Sequence, residues 1–138
     1  EFLLRRNNAD AIRRAFVDMA IDKSRFPKDV TDHYRANAMI PGAMTAMLNY
    51  YRAIVRYDRK NLEKAPVRVD VPTLLIWGEE DTALSKATAE GTGAYVKDLT
   101  TRFIPRVSHW VQQEAPEPVN AMIAAWLSGK PVPEAGAL

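Results

Sequence analysis

The chain has 138 residues, 47% of them apolar, which is enough for one packed domain and excludes global disorder. Its 19 Lys+Arg and 17 Asp+Glu are interspersed, so the pI near 9.0 describes a solvated mixed surface and not a nucleic-acid stripe. Without cysteine it has no disulfide, thiolate metal site or Cys nucleophile, and no run reaches the ~18 to 20 apolar residues of a membrane span.

The first half predicts three helices. Asn8 fits an N-cap, and Ile12, Ala15, Phe16, Met19 and Ala20 follow at helical spacing. Phe26-Pro27-Lys28-Asp29 opens a second helix over 28–39, with Pro27 tolerated in the first turn. Pro41-Gly42 breaks the chain, and a third helix is expected over 43–57. Met44, Met47, Leu48, Tyr51 and Val55 make its apolar face, with Arg52, Arg56 and Arg59 mostly turned away. The helical part is assigned to 1–60. From Asp58 to Asp70 the composition becomes charged, with Pro66 inside it, and 61–70 reads as a connector.

Val71-Pro72-Thr73-Leu74-Leu75-Ile76-Trp77 is short, continuously apolar and led by a proline, as suits a strand of a parallel sheet buried on both faces. Gly78-Glu79-Glu80-Asp81 ends it. A helix over 85–98 follows, weakened by Gly91 and Gly93. Thr101 to Ile104 reads as a second strand, stopped by Pro105. After a loop through His109, Pro116-Glu117-Pro118 opens a last helix. There Val119, Met122, Ile123, Trp126 and Leu127 recur at helical spacing, and Gly129 and Pro131 mark the end. Residues 71–130 are thus strand, helix, strand, helix, a βαβα unit, and the fold class is α/β. Residues 131–138 are expected to be a loose tail.

In a parallel α/β sheet, ligands bind beyond the carboxyl ends of the strands. Asp81 lies four residues past Trp77, and His109 stands in the loop after the second strand. Singly, such an Asp is most often a cap or turn residue, and such a His is most often structural. Together, at matching strand ends, they form an acid–base pair. The carboxylate accepts from one imidazole nitrogen and leaves the other free to take a proton. The order acid then histidine is that of the α/β-hydrolase triad. His33 and His109 are too far apart in sequence for a local metal motif.

The segment Val71 to Asp81 resembles the acid-bearing strand and turn of epoxide hydrolases. Ser108-His109-Trp110-Val111-Gln112-Gln113-Glu114-Ala115-Pro116-Glu117-Pro118-Val119-Asn120 is similar to their catalytic-histidine segment. Pro41-Gly42-Ala43-Met44-Thr45-Ala46-Met47-Leu48-Asn49-Tyr50-Tyr51-Arg52-Ala53 is similar to their last cap helix. The resemblance runs from about Asn7 to Leu127. It implies a partial α/β-hydrolase fold, a helical cap segment followed by the βαβα unit. It also implies that Asp81 is the triad acid and that His109 is the base activating water against a covalent ester. Tyr51 becomes the cap tyrosine that hydrogen-bonds the epoxide oxygen, where a phenol donor stabilises developing charge. Tyr51 also lies on the apolar face of its helix, where a tyrosine serves equally as core.

The nucleophile should lie upstream on an elbow such as Gly-x-Ser-x-Gly, or with Asp in place of Ser. No such motif occurs among these residues: Ser24 has no flanking glycines, and Gly91-Thr92-Gly93 falls after the acid. The chain has no initiator Met and is expected to be the C-terminal part of a longer hydrolase, inactive alone. Epoxide hydrolysis is the first expectation, with an esterase or haloalkane dehalogenase relative as alternatives, and a non-catalytic stand-alone dimer or interaction module as another class. No cofactor or metal is implied. The expected partners are a small apolar substrate and either the missing N-terminal part or a second copy, taken up at an open sheet edge. A sharply monomeric species in light scattering would argue against the second copy. Neither nucleic acid nor membrane is expected as a partner. The absence of a secretion signal suggests a cytoplasmic protein.

Overall fold

The computed structural model describes residues 1–61 and 68–137. Contacts group them into two units. One comprises Glu1–Asp18 and the helices from Phe26 onward, and the other comprises Met19–Arg25 and the strands with their helices.

The first unit is built from α1 (Phe2–Val17), α2 (Lys28–Met39) and α3 (Ala43–Asn61). Pro27 in extended geometry sets the start of α2, Asp29 in its first turn suits the helix dipole, and Gly42 at φ +83° makes the turn into α3. The start of α1 differs from the expectation of a cap at Asn8. Asn7, Asn8 and Ala9 all have left-handed backbone, so α1 is kinked there. Asparagine tolerates that region more readily than alanine. The kink is held from outside α1, because the Arg35 guanidinium on α2 donates to the Asn8 carbonyl at 2.8 Å and the Asn7 carbonyl at 3.2 Å. Helix α1 also stops at Val17, before Met19 and Ala20, which join the second unit.

The core of this unit is small: Ala9, Ala38 and Met44, with Leu4, Ile12, Met39 and Leu48 around them. Phe16 stacks on Tyr34 with ring centroids 4.4 Å apart. The apolar face expected for α3 is therefore only half used. Met44 is buried and Leu48 packs beside it, whereas Met47, Tyr51 and Val55 are exposed. Arg59's side chain and residues 62–67 of the expected connector lie outside the described residues.

In the second unit, β1 (Thr73–Gly78) and β2 (Leu99–Ile104) pair in parallel, with Thr73 opposite Leu99 and Gly78 opposite Ile104. Val69 adds a bridge to Val96. Between the strands, α4 covers only Lys86–Glu90, shorter than the expected 85–98. Gly91 ends it, a tight turn at Thr92–Ala94 follows, and Val96 is drawn into the pairing with Val69. After β2 come α5 (Val111–Glu114), which the sequence pattern does not announce, and α6 (Pro116–Leu127).

Helix α6 and the even positions of β1 enclose one core: Ile104, Val107, Ala115, Val119, Met122 and Val132, with Leu74, Ile76, Val111, Trp126 and Ala135 packed on it. The described sheet has two strands, and Leu74 to Trp77 are half-buried, in keeping with the expectation that so small a sheet covers them on one face at most. The expectation of a loose tail is also corrected. Val132 is buried in this core, and the Arg102 side chain donates to the carbonyls of Val132 at 2.6 Å and Pro133 at 2.9 Å. A guanidinium on a strand thus ties down a segment whose own sequence carries no fold signal. Among the described residues no helix is long and apolar enough to cross a membrane.

Candidate active site

Beyond the carboxyl ends of β1 and β2, two loops are stitched together by backbone. Glu79 N–H donates to the Ile104 carbonyl at 3.0 Å, and Glu80 N–H donates to that of Val107 at 3.1 Å. At the last position of β1 only glycine fits. A Cβ on Gly78 would lie 2.3 Å from the Ser108 carbonyl oxygen and 2.5 Å from that of Val107. After Pro105, Arg106 takes φ +58° and turns the chain back, with its N–H donating to the Glu80 carboxylate at 3.2 Å. The loop carrying His109 is therefore laid directly on the end of the strand that leads to Asp81.

Asp81 uses both of its carboxylate oxygens. Oδ1 accepts the N–H groups of Ala83 at 2.8 Å and Leu84 at 2.9 Å, and Oδ2 lies 2.9 Å from Nδ1 of His109. The Leu84 carbonyl in turn accepts the Trp77 indole N–H at 3.2 Å. The Asp81 side chain is 6% exposed and that of His109 28% exposed. Burial opposes ionisation of Asp81, but the Leu84 N–H, the His109 ring and the Ala83 N–H outweigh it and hold the carboxyl below the usual range. An ionised Asp81 only accepts, so the facing Nδ1 carries a proton and Nε2 is the nitrogen left to exchange one. The Trp110 ring meets the imidazole edge-on, 4.8 Å between centroids.

The structure thus brings together Asp81 and His109. Tyr51 stands on α3 in the other unit, 70% exposed, and among the described residues its hydroxyl has no hydrogen-bond partner. No group of three or more His, Cys, Asp or Glu among the described residues is arranged to hold a metal ion.

Glu114 is a residue that sequence reasoning left without a role. It is 6% exposed at the end of α5, and its Oε1 accepts the Ser108 N–H at 3.2 Å. A lone glutamate before Ala115-Pro116 carries no periodic signal. The cue available was its place inside the histidine segment. Ser108 is fully buried beside it, and its hydroxyl has no partner among the described residues.

Parallel strands that deliver an acid and a histidine to one edge make the fold that of the α/β-hydrolases, present here in part. Within that class, the sequence is epoxide hydrolase-like. It is 32% identical over 130 residues to the AB hydrolase superfamily protein YfhM of Bacillus subtilis, a match covering 94% of this chain and 44% of the relative. It is 33% identical over 132 residues to epoxide hydrolase 4 of Mus musculus, covering 92% and 36%. A solved point mutant of an epoxide hydrolase from Bacillus megaterium superposes with a TM-score of 0.74 at 26% identity, over 92% of this chain and 46% of that one. The chain spans less than half the length of these relatives. No family model matches it.

Proposed function

We propose that the chain is the acid- and histidine-bearing part of a cap-bearing α/β-hydrolase that cleaves small, largely apolar substrates through a covalent ester, with epoxide hydrolysis favoured. In this reading residues 1–60 serve as the cap segment and 71–130 as part of the catalytic core. The observation that carries it is the Nδ1 to Oδ2 distance of 2.9 Å at the carboxyl ends of two parallel strands. Asp81 fixes the tautomer and stabilises the imidazolium. Nε2 of His109 takes a proton from water as the water oxygen adds to the ester carbonyl, and the ester C–O bond to the product then breaks as the imidazolium gives that proton to the leaving oxygen.

Tyr51 donates to the epoxide oxygen as the ring opens. Its exposed phenol, unsatisfied among the described residues, supports that role. The nucleophile is assigned to an elbow upstream of these residues, and the chain alone is expected to be inactive. The names of the relatives favour epoxide over ester or carbon–halogen cleavage. With a single described partner for each strand, an outer edge is expected to accept a further strand, from the rest of a longer protein or from a second copy.

The test is His109→Ala in the full-length protein. Turnover is expected to fall by about ten-thousandfold, with a covalent ester accumulating where the nucleophile is Asp. Normal turnover in that variant would remove His109 from the reaction.

A further inference from the structure

We infer that Glu114 is a positioning residue for His109, a buried carboxylate that clasps the histidine loop to the segment Met19–Arg25. The inference takes its catalytic meaning from the reading of His109 as the base, but its geometry stands apart from that reading.

The clasp has two jaws. Oε1 accepts the N–H of Ser108, the residue directly before His109, at 3.2 Å. Oε2 accepts the N–H of Ile21 at 2.8 Å and of Asp22 at 3.3 Å. All three partners are backbone donors, and no lysine, arginine or histidine among the described residues pairs with this carboxylate. An acceptor is therefore required at both ends, and an NH2 placed at either would point a donor at a donor.

The neighbouring residues fasten the same segment. The Gln113 side-chain amide donates to the Arg25 carbonyl at 3.3 Å, and the Arg25 guanidinium grips both Glu117 oxygens at 3.1 and 3.3 Å. Those contacts are exposed and screened by water, whereas the Ser108 bond is buried. From the strand side the histidine loop rests on Gly78, which leaves Ser108 held between the end of β1 and Glu114. The rotation of the imidazole about Asp81 is set by where Ser108 lies. Met19–Arg25 belongs to this unit although the helices that flank it in sequence belong to the other. Its backbone donors at Ile21 and Asp22 find their acceptor in Glu114.

Glu114→Gln distinguishes a clasp from filler, because glutamine keeps the shape and one acceptor. Its oxygen will serve the jaw with two donors, Ile21 and Asp22, and its NH2 will then face Ser108 N–H. The readout is NMR of the 15N-histidine-labelled full chain, with exposed His33 as the internal reference. We expect the His109 Nδ1 proton, shared with Asp81, to exchange with water at least about tenfold faster, as suits a displaced hydrogen bond, with His33 unchanged. Val119→Ala is the control: it loosens the core that α6 shares with Val107 but removes no hydrogen bond to the loop, and should leave the His109 signal in place. An unchanged His109 signal in Glu114→Gln overturns the inference. So does a His109 signal that moves equally in Val119→Ala.

Should Glu114→Gln fail to fold, amide exchange in the unaltered chain decides. Ile21 is 45% exposed and should still be protected, opening together with Ser108; separate opening overturns the clasp. In the full-length enzyme Glu114→Gln should lower kcat by about a hundredfold at unchanged KM, the cost of a misplaced catalytic group. A displaced His109 with undiminished turnover would support the clasp and refute His109 as the base.

Discussion

The two units treat their polar groups in opposite ways. In the second, the carboxylates of the site are satisfied, largely by backbone. Asp81 accepts two N–H groups and the histidine, Glu114 accepts three N–H groups, and Gly78 lets one loop rest on another. In the first, the residue of interest, Tyr51, projects from a helix without a partner among the described residues, next to other exposed apolar side chains, Tyr50, Ile54 and Val55. On the proposed function, the comparison separates two kinds of residue. An acid–base pair must be rigid before substrate arrives, and that rigidity is visible as satisfied bonds. A donor that acts only on a bound substrate has no reason to be satisfied beforehand.

The largest effect is expected where the second unit's rigidity is stored. Gly78→Ala puts a methyl against two carbonyl oxygens of the histidine loop, and neither is the end of a flexible side chain. The loop must move or the strand must bend. A destabilisation of about 3 kcal/mol is expected, at the upper end of ordinary overpacking, together with loss of the shared His109 proton signal. Urea unfolding checks the first and NMR the second. A fully stable variant with its Asp81–His109 pair intact would break the account of how the loop is placed.

A smaller effect follows from Asp81. Its folded carboxyl titrates below the usual range, so its stabilisation is present above the ordinary carboxylate pKa and is lost as pH falls through the lower folded value. Asp81→Asn has no such proton to gain. The wild type should exceed the variant in stability near neutrality, and the gap should narrow on acidification below about pH 4. Unfolding midpoints at a series of pH values measure it. A gap that widens in acid would mean that the carboxylate is destabilised by its site, contrary to the bonds it accepts.

Much of this architecture is legible in the sequence wherever local chemistry decides. Pro27 and Gly42 punctuate α2 and α3, Pro105 ends β2, and Asp81 and His109 fall in the turns after their strands. What sequence reasoning misses is set by contacts far along the chain. The kink at Asn7 to Ala9 depends on Arg35, the docked tail depends on Arg102, and Glu114 acquires its place from Ile21 and Asp22, 93 and 92 residues away. Helix α4 is a mixed case. Gly91 and Gly93 warn of weakness and Gly91 ends the helix, but the pairing of Val96 with Val69, which takes the following residues out of it, is not legible in the sequence. The α3 face shows the converse. Periodicity marks Tyr51 and Val55 as buried, yet a helical pattern states only which residues share a face and not that anything lies opposite.

The smallest effect on stability, and the sharpest test of the comparison, comes from Tyr51→Phe. The substitution keeps the ring and removes only a hydroxyl that has no partner among the described residues, so unfolding should change by no more than about 0.5 kcal/mol. In the full-length enzyme, epoxide turnover should fall about a hundredfold, the usual cost of losing one donor to a developing oxyanion. Tyr50, 78% exposed on the same helix, supplies the control, and Tyr50→Phe should alter neither quantity. Loss of stability without loss of turnover would make Tyr51 a core residue of the first unit. Loss of turnover without loss of stability would show that an unsatisfied exposed phenol and a bonded, buried carboxylate serve one reaction, the first by waiting for the substrate's oxygen and the second by holding the base in readiness.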